Sequence, residues 1–182
     1  MTNLFEGLIS SKTRVKVLIR FFFNPESQSY LRELAKEFNV STNAVREELN
    51  QLNKTNLVKK EKNGRQVFYR ANQEHPLFPE LRTMVSKVMG IDKVVEGIIR
   101  RLGNLERAYL IGDYADGKDS GIIDLLLVGN INHHHLNDLS RKTERYIKRK
   151  IRTLVYRQEE FKNFLSEMEK RPYLLIWTAN KG

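Results

Sequence analysis

The chain contains no cysteine. That excludes disulfides, thiolate metal sites and cysteine nucleophiles. It is compatible with a reducing cytoplasm, and a cytoplasmic protein is expected. Proline is scarce, at 4 of 182 residues, and each proline falls where the chain is expected to turn. Pro25 follows a helix, Pro76 and Pro79 mark a boundary, and Pro172 precedes a last strand. No apolar run approaches the roughly 20 residues of a membrane span, so no membrane partner is expected. Charges from Lys12 to Arg20 interrupt the N-terminal apolar residues, which argues against a secretory pattern. Acidic residues are in deficit, with 32 Lys+Arg against 22 Asp+Glu and a formal net charge of +10. The sequence pI is about 9.8. This balance suits a polyanionic partner. The excess is denser toward the N-terminus: residues 1–72 carry 13 basic and 7 acidic residues, and residues 73–182 carry 19 and 15.

The most informative stretch runs from Ser29 to Arg70. Leu31, Leu34, Ala35 and Phe38 recur at helical spacing, which predicts a short helix that Ser29 can cap. Asn39 and Val40 make a turn, and Ser41 can cap a second helix. There Val45, Leu49 and Leu52 face inward. Asn43, Glu47 and Asn50 point outward, with Ala44 and Arg46 on the flanks. Asn can bond adenine bidentately, Arg can bond guanine, and a helix N-terminus can touch phosphate. Glu47 could accept from cytosine but repels phosphate. An ordinary solvated face is the competing reading. Leu57 to Lys62 and Arg65 to Arg70 then read as a hairpin about Asn63-Gly64, a pair suited to a type I′ turn. Lys59, Lys60, Lys62, Arg65 and Arg70 make this ribbon cationic, as a ribbon lying along phosphates would be. Asn56, at the end of the second helix, suits left-handed geometry. Helix, turn, helix and basic hairpin together form the layout of a winged helix-turn-helix.

A support helix precedes it. Leu4, Phe5, Leu8 and Ile9 lead into Val15, Leu18, Ile19 and Phe22, with Ser10 or Ser11 as cap and Asn24-Pro25 as stop. Phe21 and Phe23 lie off this stripe and suit core contacts, a second domain or a partner subunit. After residues 71–80, Leu81, Met84, Val85 and Val88 give one helical stripe. Val94, Val95, Ile98, Ile99 and Leu102 give another, ending at Gly103-Asn104. These helices either dimerise or pack onto their own domain.

From Leu105 the texture becomes alternating β and α. Strands are expected over Leu105–Ile111, Ile122–Val128, Thr153–Tyr156 and Tyr173–Trp177. A helix from Asn132 to about Lys150 places Leu136, Leu139, Thr143, Tyr146 and Ile147 inward. Its opposite stripe, Arg141, Arg145, Lys148 and Arg152, is either a solvated face or a second contact to nucleic-acid backbone. His133 to His135 open it, but consecutive positions diverge and make no ready metal set. Residues 158–169 read as a helix with Phe161, Phe164, Leu165 and Met168 inward.

Residues 11–72, with LRELAKEFNVSTNAVREEL at their centre, resemble the winged-helix transcriptional regulators, in particular the arsenical-repressor superfamily and its relatives. The resemblance implies sequence-specific binding of double-stranded DNA, here through Ser41, Thr42, Asn43, Arg46, Asn50, Lys60, Lys62, Asn63 and Arg65. Arsenical sensing needs cysteine pairs, so thiolate induction does not carry over. Residues 108–128, AYLIGDYADGKDSGIIDLLLV, look like the strand-turn-strand core of the nucleotidyltransferase fold. That family holds two metals on an Asp-x-Asp pair and a third acid on a later strand. Gly112 and Gly117 match its glycines and Asp124 its second aspartate. Asp113 stands where Ser is expected, Ile122 replaces the first aspartate, and residues 152–156 offer no acid. A single carboxylate cannot hold two divalent ions against their mutual repulsion. Asp113, Asp116 and Asp119 would have to supply a rearranged site.

The expected protein is thus α+β. A winged helix-turn-helix over residues 1–74 is followed by linker or dimerisation helices over 75–103 and a degenerate nucleotidyltransferase-like domain over 104–182. A winged helix fused to such a domain is a known arrangement among bacterial regulators. The expected function is a DNA-binding transcriptional regulator, not an enzyme, without cofactor or metal. A homodimer and a small-molecule or nucleotide effector are expected partners. The alternatives are an active nucleotidyltransferase targeted by its winged helix, and an interaction module that binds protein.

Overall fold

Ser11 starts the first helix. Its hydroxyl accepts from the Arg14 amide at 3.1 Å, and α1 runs Lys12–Phe22. The computed structural model describes residues 8–179. Leu4 and Phe5 lie outside them. Val15, Leu18, Phe21 and Phe22 are buried, as is Phe23, so the two off-stripe phenylalanines are core residues. Arg14 Nε donates to Glu48 at 2.7 Å and Lys16 Nζ donates to the Phe38 carbonyl at 2.8 Å. α1 is thereby tied to the two helices it supports.

Those helices are α2, Leu31–Phe38, and α3, Thr42–Lys54. Asn39 closes α2 in the left-handed region at φ 52. Its amide and that of Val40 both reach the Ala35 carbonyl. Ser41 caps α3, accepting from the Ala44 amide at 3.1 Å. Ser29 does not cap α2. It is fully buried in a short strand, β1 (Gln28–Tyr30), opposite Tyr69, and its hydroxyl donates to the Glu33 carboxylate. Tyr30 occupies the cap position without a side-chain bond.

The hairpin consists of β2, Val58–Asn63, and β3, Gln66–Ala71. Asn63 pairs with Gln66, which leaves Gly64-Arg65 as the two-residue loop. Gly64 is left-handed at φ 61, whereas Asn63 and Arg65 are not. One positive φ, at a glycine in the first central position, is the type II′ pattern. The turn therefore sits one residue later than the Asn63-Gly64 type I′ turn read from the sequence. Asn56 is left-handed at φ 58, as its position predicts. Asn53 and Asn72 then stitch the helix end to the ribbon, donating to the carbonyls of Val58 and Asn56, each at 2.9 Å. The sheet order is β1-β3-β2. The order of elements, helix, strand, helix, helix and hairpin, is that of a winged helix.

The division between the two compact units falls between Val88 and Met89, inside the segment expected as a linker. Up to Val88, α4 (Phe78–Met89) belongs to the first unit, where Phe78 packs at a tilt on Phe22 with ring centres 5.7 Å apart. The second unit opens with α5, Ile91–Gly97, and a single 3₁₀ turn, Ile99–Arg101.

Its sheet contains β4 (Leu105–Ile111), β5 (Ile122–Gly129), β6 (Lys150–Tyr156) and β7 (Tyr173–Thr178), in the order β6-β5-β4-β7. β5 and β6 are parallel and are joined through α6, His133–Ile147. Asn132 caps α6, accepting from the His135 amide at 3.0 Å. The helix ends three residues earlier than expected, because Lys148 turns left-handed at φ 53. Arg152 consequently lies on β6 and not on the helix. Leu136, Leu139, Thr143 and Ile147 are buried as expected, but Tyr146 points into solvent. α7, Gln158–Met168, packs Phe161 and Met168 onto Tyr109, Leu126 and Val128. Leu165, expected inward, is exposed. The molecule is therefore α+β, with a winged helix followed by a four-stranded mixed sheet.

Candidate nucleic-acid interface

The N-terminal half of α3 presents a polar surface. Ser41, Thr42, Asn43, Arg46 and Asn50 are all exposed. Their order along the helix follows from the inward set Val45, Leu49 and Leu52, all buried. Arg46 Nη1 donates to Asn43 Oδ1 at 3.2 Å, and Asn43 Nδ2 donates to Glu47 at 3.1 Å. The amide of Asn43 thus stands between a cation and an anion, one and the other within a turn of the helix. Asn50 makes no such bond among the described residues.

The ribbon sorts its charges by face. Residues directly opposite in an antiparallel pair share a face. Lys60 lies opposite Tyr69 and Lys62 opposite Val67, while Lys59 lies opposite Arg70 and Glu61 opposite Phe68. On the second of these faces the cations are neutralised. Lys59 pairs with Glu74 at 2.6 Å, and Arg70 makes two bonds to Glu61 Oε1, at 2.7 and 2.5 Å. The Glu61 bonds hold the Arg70 pKa above its ordinary value. On the first face, Lys60 and Lys62 are exposed and form no ion pair among the described residues, and neither does Arg65 at the tip. The face is oriented by Tyr69. Burial raises the pKa of its phenol, and the positive charge of Arg46 works against that shift. The Lys60–Lys62 face is also the one that carries the buried Val58, Tyr69 and Ala71, and β2 packs against α3. Ser41, Thr42, Asn43, Arg46 and Asn50 on the helix and Lys60, Lys62, Asn63 and Arg65 on the ribbon are all exposed on the same unit. The face-by-face division of the ribbon cations was not visible in their number alone. Strand alternation, applied with the correct register, would have found it.

The nucleotidyltransferase-like turn lies in the second unit. Gly112 is left-handed at φ 68, and its amide donates to the Pro172 carbonyl at 3.1 Å. A Cβ at Gly112 would approach Asp124 Oδ2 at 3.6 Å, so the glycine turn and the aspartate are neighbours as the resemblance implies. Gly117 is left-handed and buried, while Asp113 is exposed. Asp124 is paired with Arg152, whose side chain is 67% exposed. Arg152 Nε and Nη2 donate to its two oxygens at 2.6 and 2.7 Å. Hydrogen bonding to Asp124 raises the Arg152 pKa, and Asp113 adds to that shift. Asp119 does not rearrange toward Asp124. Arg149 holds it through Nε–Oδ1 at 3.1 Å and Nη2–Oδ2 at 2.6 Å, and the buried Tyr114 hydroxyl donates to it. Asp116 lies 2.8 Å from Lys118. Among the described residues no group of three His, Cys, Asp or Glu could hold a metal ion. The donor set does not fit the two divalent ions that the fold resemblance implies. His133 to His135 are exposed. His134 lies 4.0 Å from Asp138, and His135 is 3.3 Å from the Arg101 carbonyl.

Among the described residues no helix is long and apolar enough to cross a membrane. No family model matches the chain, and no curated protein does. Among solved structures, reduced HlyU from Vibrio cholerae N16961 is 20% identical, covering 45% of this chain and 78% of that one with a TM-score of 0.37. A mutant of ZitR from Lactococcus lactis is also 20% identical, covering 47% of this chain and 59% of that one at a TM-score of 0.37. A mutant of the toxin–antitoxin MntA-HpeT is 14% identical, covering 50% of this chain and 74% of that one at 0.39. At these scores the likenesses assign neither family nor activity.

Proposed function

We propose that the chain is a sequence-specific, duplex-DNA-binding transcriptional regulator. In this reading α3 enters the major groove, and the Lys60–Lys62 face of the ribbon lies along the neighbouring phosphates. The observation that carries it is the sorting of charge on the ribbon. Lys60 and Lys62 share a face with the buried Val58, Tyr69 and Ala71, on a strand packed against α3, and the paired cations Lys59 and Arg70 occupy the other face. Base contacts come from Asn43, Arg46 and Asn50, and phosphate contacts from Ser41, Thr42, Lys60, Lys62, Asn63 and Arg65. The second unit acts as a sensor or dimerisation domain without nucleotidyl transfer, because Asp124 is the one carboxylate of three that the fold resemblance implies, and Arg152 pairs with it. Two copies would read two half-sites about one helical turn, or a multiple, apart.

Fluorescence anisotropy on a labelled genomic duplex, repeated across a salt series, tests the reading. Lys60→Ala, Lys62→Ala and Arg65→Ala combined should lower the slope of log K against log salt by about 0.9 for each phosphate left unneutralised. Lys59→Ala with Arg70→Ala should leave the slope unchanged. Equal effects of the two sets would remove the ribbon face from the interface.

A further inference from the structure

The solvent side of α6 carries a group of side chains that duplex recognition does not use. Arg141, Lys142, Arg145 and, just past the helix end, Lys148 are exposed. Their side chains form no ion pair among the described residues. The acids on the same helix are engaged elsewhere. Glu144 accepts from the Ile151 amide at 2.8 Å and lies 3.5 Å from Lys150, and Asp138 lies 4.0 Å from His134. Arg141 and Arg145 stand four residues apart, where like charges repel along a helix. Cations in the last turn do complement the helix dipole. That effect does not account for Tyr146, which follows Arg145 in the chain and lies one turn beyond Lys142, on the flank of the cationic stripe. Tyr146 is 83% exposed, although an aromatic ring is ordinarily worth burying.

We propose that this surface binds single-stranded nucleic acid, with the cations on phosphates and Tyr146 stacked on an unpaired base. A duplex offers the phosphates but not a free base face, and an anionic membrane offers neither base nor regular spacing. Rings set among cations are how sequence-tolerant single-strand sites are built. Arg141 to Lys148 spans about 10 Å along the helix axis, which is room for two or three phosphates. The site is independent of the ribbon and lies in the other compact unit.

The test uses the full chain and a fluorescein-labelled dT20 oligonucleotide, followed by anisotropy across a salt series. Combining Arg141→Gln, Arg145→Gln and Lys148→Gln should flatten the log K–log salt slope by about 2, at roughly 0.7 per phosphate on a single strand. Tyr146→Ala should weaken binding about tenfold with the slope kept, and Tyr146→Phe should bind as the wild type. All positions are on the surface, so thermal melts should coincide, and a variant that melts early is replaced by Arg145→Glu alone. The combined Lys60, Lys62 and Arg65 alanine variant should keep dT20 binding. The proposal is overturned if the α6 variants bind dT20 like the wild type. It is overturned as well if they fail to bind phosphatidylserine vesicles only, or if the ribbon variant alone abolishes dT20 binding. A ribbon variant that keeps full duplex affinity would instead remove the duplex reading and leave the α6 site standing on its own result.

Discussion

Arg152 on β6 clamps Asp124 on β5 through two parallel hydrogen bonds of 2.6 and 2.7 Å. The two residues are register partners across the parallel pair of strands. A guanidinium fork matches a carboxylate in this way and leaves it few lone pairs for another cation. At the position where the nucleotidyltransferase resemblance implies a metal-binding aspartate, the chain thus places a positive charge of its own, on a side chain that is 67% exposed.

Magnesium is the direct check. Millimolar Mg²⁺ should leave the melting temperature of the wild type unchanged. It should also leave that of Arg152→Ala unchanged, since freeing Asp124 does not bring other acids to it. Differential scanning fluorimetry reads this. A saturable rise in the Arg152→Ala variant would show that Asp113 and Asp124 converge once the arginine is gone, and transfer chemistry would return to consideration.

The wing turn makes a second prediction. Gly64 alone of the four turn residues is left-handed, and a Cβ there would meet nothing within 4 Å. Gly64→Ala should therefore cost about 1 kcal/mol through backbone conformation alone. Asn63→Ala should stay within about 0.5 kcal/mol, because Asn63 has no left-handed strain to relieve. Urea unfolding followed by circular dichroism distinguishes them. A large cost at Asn63 would restore the type I′ turn.

Local signals were legible where one residue's chemistry decides the matter. Ser41 caps its helix, Asn39 and Asn56 turn left-handed, and β4 runs Leu105–Ile111 as its apolar residues require. What periodicity could not show was decided by partners distant in the chain. Ser29 reads as a cap, but pairing with Tyr69 draws it into a three-residue strand. Arg152 continues the spacing of Arg141, Arg145 and Lys148, but the left-handed turn at Lys148 moves it onto the sheet. Tyr146 continues the apolar face of α6 by spacing, yet it stands at the edge of that face and is exposed, while Ile147 takes the buried position at the helix end. In the candidate interface every named residue is exposed as expected, while the pairing of Lys59 and Arg70 depended on the strand register.

Acid stability should report the buried network around Asp119. Burial raises the pKa of this carboxyl, but hydrogen bonds from Arg149 and Tyr114 outweigh that and hold it below its ordinary value. A depressed carboxylate contributes stability above its unfolded pKa of about 4, and the contribution disappears as pH falls through the folded value. Asp119→Asn should therefore destabilise the second unit at pH 7 by about 2–3 kcal/mol. This lies below the roughly 3–5 kcal/mol of a fully buried pair, because the Asp119 side chain is one-third exposed. The difference between variant and wild type should shrink below about pH 4. Urea midpoints at pH 7 and pH 3 measure it, and a constant difference would show that Asp119 is not ionised in the pair.

Glu47 is the acid that the DNA-reading face has to accommodate. It accepts from Asn43 at 3.1 Å, and Asn43 in turn accepts from Arg46 at 3.2 Å. A carboxylate facing phosphates repels every sequence alike, so Glu47→Ala should tighten binding to random duplex and to the preferred site. It also releases the Asn43 amide from a fixed orientation, so the ratio between preferred and random sites should fall. Arg46→Ala should act in the opposite sense on affinity, costing on the order of 1–3 kcal/mol at the preferred site if it reads a base, with a smaller loss on random DNA. Competition anisotropy with selected and scrambled duplexes gives both quantities. Equal losses on the two duplexes for Arg46→Ala would make it a phosphate contact. Unchanged affinity for Glu47→Ala would place that carboxylate away from the DNA, and α3 would then have to approach the groove by a different edge.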